Sequence, residues 1–254
     1  MLIGSSTGLT PPMIAANFSP RKNGERDRED NLMAFSAELQ SEIRNYVYSH
    51  LPDEEWYDTH FYPFIRDKGL RDRLIVEFKN ARIIYKIFEG LQASDELLLA
   101  QIKTQVIMYV SIQEAVINYV LFNILESSPE VQALLYQERL VNIMIPTSQR
   151  AKLQKALEHD GKEILTYYKE LKPVDRTKIH YDQKVSASYQ LNLLDEHLMN
   201  DLIKLYEYRN TVHIEAELRK NLDYNLEMGL LAFRRVEGLS MQLSSNLKEK
   251  FMIS

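Results

Sequence analysis

The sequence predicts an all-α protein, a multi-helix bundle, and three observations carry that expectation. Apolar residues recur at three- and four-residue spacing along almost the whole chain after residue 30. From Ile65 to Ser254 only Pro129, Pro146 and Pro173 interrupt the backbone, leaving long spans in which helices can run unbroken. No segment alternates apolar and polar residues with period two over a convincing strand length. With 254 residues, 45% of them hydrophobic, the chain is large enough to bury a substantial core.

Residues 1–30 read as a flexible tail, rich in Gly, Ser, Thr and Pro and then strongly charged, with little apolar content to bury. An N-terminal helical segment over residues 31–92 follows. Its first helix, Leu32 to Leu51, carries Leu32, Phe35, Leu39, Ile43 and Val47 and stops before Pro52, since the residue preceding proline disfavours helix. The connector from Pro52 to Phe64 holds the only tryptophan, Trp56, among several aromatics expected to pin it to the bundle. A second helix, from about Lys68 to Leu91, turns Leu70, Leu74, Phe78 and Phe88 inward.

Residues 93–254 form the predicted main bundle. Ser94 is the N-cap of a long helix to about Glu126, with Asp95 and Glu96 favoured in its first turn by the helix dipole. Ser128-Pro129 repeats the start signal, with proline at the first helical position. Thr147 or Ser148 caps a helix to about His159, with Gly161 as its stop. A short helix and a polar loop from roughly Lys172 to Ser188 come next. Asn192 to Tyr208 carries Leu194, Leu198, Leu202 and Leu205, and the last helix carries Leu218, Leu222, Leu226, Leu230, Phe233, Leu243 and Leu247.

Composition removes several classes of function. The absence of cysteine excludes disulfides, thiolate metal sites and cysteine nucleophiles. No Gly-rich phosphate loop, nucleophile elbow or His-Glu-x-x-His is present, so no cofactor or metal is expected. The N-terminus lacks the basic and apolar regions of a secretory signal. Val106 to Leu125 is the most apolar run, but Ser111, Gln113, Glu114, Asn118 and Asn123 make it a buried core helix rather than a membrane span. A cytoplasmic protein with no membrane partner is expected. The net charge of -5 gives no global attraction to nucleic acid. Local basic excess exists in Arg66–Glu89, seven basic residues against four acids, and in Arg150–Lys184, nine against six. Either stretch also reads as ordinary solvated helix surface.

One stretch concentrates side chains suited to chemistry: Leu205-Tyr-Glu-Tyr-Arg-Asn-Thr-Val-His-Ile214. On a continuous helix, residues four apart lie about 40° from each other and residues three apart about 60°. Arg209, Asn210 and His213 would then project together. Arg44 and His50, six apart, would point to different sides, and Arg176 and His180 fall in the polar loop. His197 and Asp201 stand one turn apart without a third metal ligand. Glu114 is an acid in the middle of the long apolar helix. It is either a partner for Arg209 or His213, or a partly exposed residue in a structural ion pair. Tyr206 and Tyr208 flank the motif, either to stack on a base or simply to pack.

The Arg-Asn…His motif, set in a helical hairpin behind a long apolar helix, resembles the HEPN superfamily (higher eukaryotes and prokaryotes nucleotide-binding) over about residues 94–247. A wider gap between arginine and histidine is usual in that family; here three residues intervene. The resemblance implies a HEPN-like bundle core with residues 31–92 added, and a metal-independent endoribonuclease of a prokaryotic defence or toxin–antitoxin system. It implies His213 as general acid or base, Arg209 as the phosphate-stabilising cation, Asn210 as the group that orients them, and a 2′,3′-cyclic phosphate product. RNA, a second copy of the chain forming a homodimer, and an antitoxin or other defence protein are the implied partners. The alternative expectation is a catalytically silent helical module that binds RNA or protein, with Arg209, Asn210 and His213 in a salt-bridge cluster beside Glu207 and Glu215.

Overall fold

A computed structural model describes residues 35–157, 161–162, 165–212, 214–220 and 222–251, leaving the expected tail, Leu32, His159-Asp160 and His213 outside the described residues. The chain divides into a unit of residues 1–42 and a unit of residues 43–254. Helix α1 (Ala37–Tyr48) begins in the first. There Ser36 Oγ accepts the Leu39 N–H at 3.2 Å, a capping contact that satisfies a donor at the helix start.

The second unit is mostly helical. It contains α2 (Glu54–His60), α3 (Lys68–Gly90), α4 (Asp95–Tyr119), α5 (Pro129–Leu135), α6 (Thr147–Leu157), α7 (Tyr181–Gln190), α8 (Glu196–Asn210), α9 (Ile214–Lys220) and α10 (Leu226–Phe251). Helix α3 lies directly against α4, and Leu74 and Phe78 belong to the same buried core.

Helix α4 is the axis. It packs against α3, α7, α8 and α10, which buries it on several sides and explains its near-continuous apolar sequence. Asp95–Ile124 is long and apolar enough to cross a membrane, and half of its most apolar window is buried within this bundle. Its interior amides act as stitches. Gln105 Nε2 donates to the Ala81 carbonyl of α3 at 3.4 Å, and Gln113 Nε2 to the Ala232 carbonyl of α10 at 3.0 Å.

The aromatic connector packs as its composition predicts. Asp53 caps α2 by accepting the Trp56 N–H at 2.8 Å. Trp56 and Phe61 then lie 5.8 and 5.0 Å from the Phe78 ring of α3. Tyr62 is fully buried at φ 50°, in the left-handed region that a bulky residue occupies only when its surroundings hold it there. Two contacts to α10 do so: its hydroxyl donates to the Val236 carbonyl at 2.9 Å and its N–H to Ser240 Oγ at 2.8 Å.

Four local expectations need correction. Residues 136–142 and 167–173 form strands β1 (Tyr136–Asn142) and β2 (Tyr167–Pro173), an antiparallel ribbon in which Tyr136 pairs with Pro173 and Asn142 with Tyr167. Both faces of this ribbon are largely exposed, so nothing requires the alternating pattern that a half-buried strand shows. The expected polar loop at 172–188 contains α7, whose buried stripe of Tyr181, Lys184, Val185 and Ser188 is helical in spacing but polar at half its positions. The long central helix ends in a π-helical turn, Val120–Ile124, closed by the Leu125 N–H donating to the Val120 carbonyl at 2.9 Å. The last helix is two. Asn225 caps α10 by accepting the Met228 N–H, and Tyr224 folds back so that its hydroxyl reaches the Tyr208 carbonyl at 2.8 Å.

Candidate functional site

The motif region stands at the C-terminal end of α8. Asp195 starts that helix by accepting the Leu198 N–H at 2.7 Å, and Leu198, Leu202 and Leu205 bury one face of it. It ends at Asn210 because Thr211 draws off the terminal carbonyls. The Thr211 hydroxyl donates to the Tyr208 carbonyl at 2.9 Å and lies 2.9 Å from the Tyr224 hydroxyl, an arrangement that competes with further helix. Arg209 and Asn210 therefore occupy the last turn of α8, which ends before Thr211.

Arg209 is positioned by three contacts. Its Nη2 lies 3.6 Å from Glu114 Oε2 of α4, its guanidinium carbon 5.4 Å from the Tyr206 ring centroid, and its Nη1 donates to Asn210 Oδ1 at 3.3 Å. Tyr206 is in turn stacked on Tyr181 of α7, with centroids 4.5 Å apart. The result is a layered stack from α7 through α8, with a half-buried guanidinium on top. Tyr208 points the other way. It is buried edge-to-face against Tyr224 at 5.4 Å, so its ring is engaged within the protein.

Glu114 also lines a cavity of about 500 Å³ between α4, the π turn and α7. Asn118, one turn further along α4, faces the same space with Phe122, Asn123, Arg176 and Lys184. Lys184 is 4% exposed. Burial holds its pKa below the ordinary lysine value, opposed by the attraction of Glu114. Burial raises the Tyr181 hydroxyl well above the ordinary tyrosine value, and the Glu114 charge adds to that shift. Arg176 Nη2 is fixed at the rim by Glu126 Oε1 at 2.5 Å.

The structure thus brings Glu114, Tyr206, Arg209 and Asn210 together and turns Tyr208 away. The competing pairs serve other ends. Asp201 is ion-paired with Arg235 at 2.5 Å, and the His50 ring nitrogen is engaged 2.6 Å from the Tyr46 carbonyl. Sequence inspection passed over Asn118 and Lys184. Asn118 had a signal in its spacing of four from Glu114 on α4; Lys184, in a buried stripe polar at half its positions, had none. Comparison of the chain with protein-family models, curated proteins and solved structures returned no match.

Proposed function

We propose that the protein is a metal-independent endoribonuclease in which Arg209 and His213 act on an RNA backbone. What supports this most is the positioned guanidinium of Arg209, oriented by Glu114 and stacked on Tyr206 while keeping part of its surface open. A planar, permanently charged fork in that state suits the non-bridging oxygens of a phosphodiester. His213 lies outside the described residues, and its role rests on the motif.

In the proposed reaction His213 takes the proton of a ribose 2′-OH, and the 2′ oxygen attacks the adjacent phosphorus. The bond from phosphorus to the 5′ oxygen breaks, and that oxygen leaves with a proton from a second acid. The products are a 2′,3′-cyclic phosphate and a 5′-OH end. A homodimer would supply the second acid as the other copy's histidine. Restraint by an antitoxin or other defence partner, in a cytoplasmic setting, completes the proposal.

A second reading, a silent helical module that binds RNA or protein, is favoured by one observation: the charge of Arg209 is already answered by Glu114. RNA incubated with purified protein in EDTA separates the two. Cleavage that is lost in both His213→Ala and Arg209→Ala, with folding retained, supports the nuclease; inert parent protein supports the module.

A further inference from the structure

The cavity beside Arg209 holds a positive charge that the protein does not answer. Lys184 lines it while 4% exposed, and among the described residues its ammonium has neither a hydrogen-bond partner nor a carboxylate within ion-pair distance. The stem of the side chain is covered, while the ammonium opens onto the cavity. It shares an aromatic ring with another cation. The Lys184 ammonium lies 5.7 Å from the Phe122 ring centroid, and the Arg176 guanidinium carbon 5.3 Å from the same centroid. Arg176 has Glu126; Lys184 has only the ring and the more distant field of Glu114.

The opposite polarity is unmet on the same wall. Among the described residues Asn118 Oδ1 is buried with no hydrogen-bond partner and needs a donor. The π turn supplies both Phe122 and Asn123 to this space, as widened turns do where backbone is reshaped around a site. A ligand that satisfies the cavity therefore offers anionic oxygens to Lys184 and an O–H or N–H to Asn118. About 500 Å³ falls within the range of small-molecule sites, roughly 300–1,000 Å³, and exceeds what an inorganic anion fills. The carboxylates of Asp67 and Glu114 on the rim oppose a polyanion, so a single phosphate is favoured over a chain of them.

We propose that this cavity binds a phosphate monoester carried on a hydroxylated ring, with Lys184 receiving the phosphate and Asn118 accepting from a ring hydroxyl or N–H. A free sugar phosphate and a nucleotide share that chemistry. Binding is read independently of RNA cleavage, so an inactive nuclease would leave the result intact.

The test is thermal unfolding and titration calorimetry in EDTA with inorganic phosphate, ribose 5-phosphate and AMP. Saturable stabilisation by ribose 5-phosphate is expected if the sugar phosphate suffices, and by AMP alone if the base is read. Lys184→Met, which keeps the covered stem, should unfold near the parent temperature and should weaken binding at least about tenfold. Asn118→Ala, which leaves the lysine in place, should weaken the organic esters and spare inorganic phosphate. The assignment is overturned if neither ester binds, if inorganic phosphate binds as tightly as both, or if Asn118→Ala and Lys184→Met bind like the parent. A Lys184→Met chain that fails to fold would equally overturn it, because the lysine would then be a structural requirement.

Discussion

The Arg209 guanidinium and the Glu114 carboxylate meet at 3.6 Å across the contact of α8 with α4. Their side chains are 34% and 25% exposed, so solvent still screens the attraction. A double-mutant cycle on Arg209→Ala and Glu114→Gln should give a coupling of about 0.2–1 kcal/mol in urea unfolding. A coupling near zero would mean the pair does not orient the guanidinium. Under the proposed nuclease, Glu114→Gln should also reduce RNA cleavage with little change in fold.

Ser240 ties the connector to α10 twice, accepting the Tyr62 N–H at 2.8 Å and donating to the His60 carbonyl at 2.6 Å. Ser240→Ala leaves both groups without that partner and should lower stability by about 1–3 kcal/mol. Trp56, the only tryptophan, sits in the adjoining aromatic cluster and gives the fluorescence signal for the measurement. A change under about 0.5 kcal/mol, the size expected of a surface substitution, would count against this tie.

Helix α3 ends with the Ala93 N–H donating to the Phe88 carbonyl at 3.0 Å and the Gln92 N–H to the Glu89 carbonyl at 2.9 Å, with Gln92 at φ 50°. Glycine favours that position because it carries no Cβ penalty there. Gln92→Gly should raise the unfolding temperature, by an energy on the order of 1 kcal/mol. A lower temperature would show that the Gln92 side chain contributes more than the backbone strain removes.

Alkaline pH should unfold the protein. Burial pushes the Tyr57 hydroxyl up to about 12 and raises Tyr62, Tyr109 and Tyr181 as well. Below the unfolded value of about 10 both states keep these protons, so the contribution is fully present. As pH rises further, the unfolded chain ionises first and binds fewer protons than the folded one; stability then falls through the folded values. Urea midpoints measured between pH 8 and pH 11, chosen to bracket about 10, should be level at first and then decline. Phenolate absorbance accounting for all 15 tyrosines near pH 10 with the fold intact would contradict the buried assignment of these four.

Much of this architecture was legible in the residues. Spacing marked α3 and α8, and Ser128-Pro129 marked the start of α5. Glu114 stood out as an acid in an apolar helix, and it meets Arg209. The rest depended on tertiary contacts that local pattern does not encode. A ribbon exposed on both faces carries no alternation, and α8 stops at Asn210 because the Thr211 and Tyr224 hydroxyls converge on the Tyr208 carbonyl. Lys184 gave no sign of its burial, since a lysine in a polar stretch reads as solvated surface until α7 is seen packed on α4 and α8.

The most direct measurement is the chemical identity of the ends produced when a short RNA is incubated with the protein in EDTA. The proposed mechanism requires 2′,3′-cyclic phosphate and 5′-OH ends, formed at a rate that falls about 10²–10³-fold in Arg209→Ala. Intact RNA after incubation with folded parent protein, or cleavage that Arg209→Ala leaves unchanged, would contradict it.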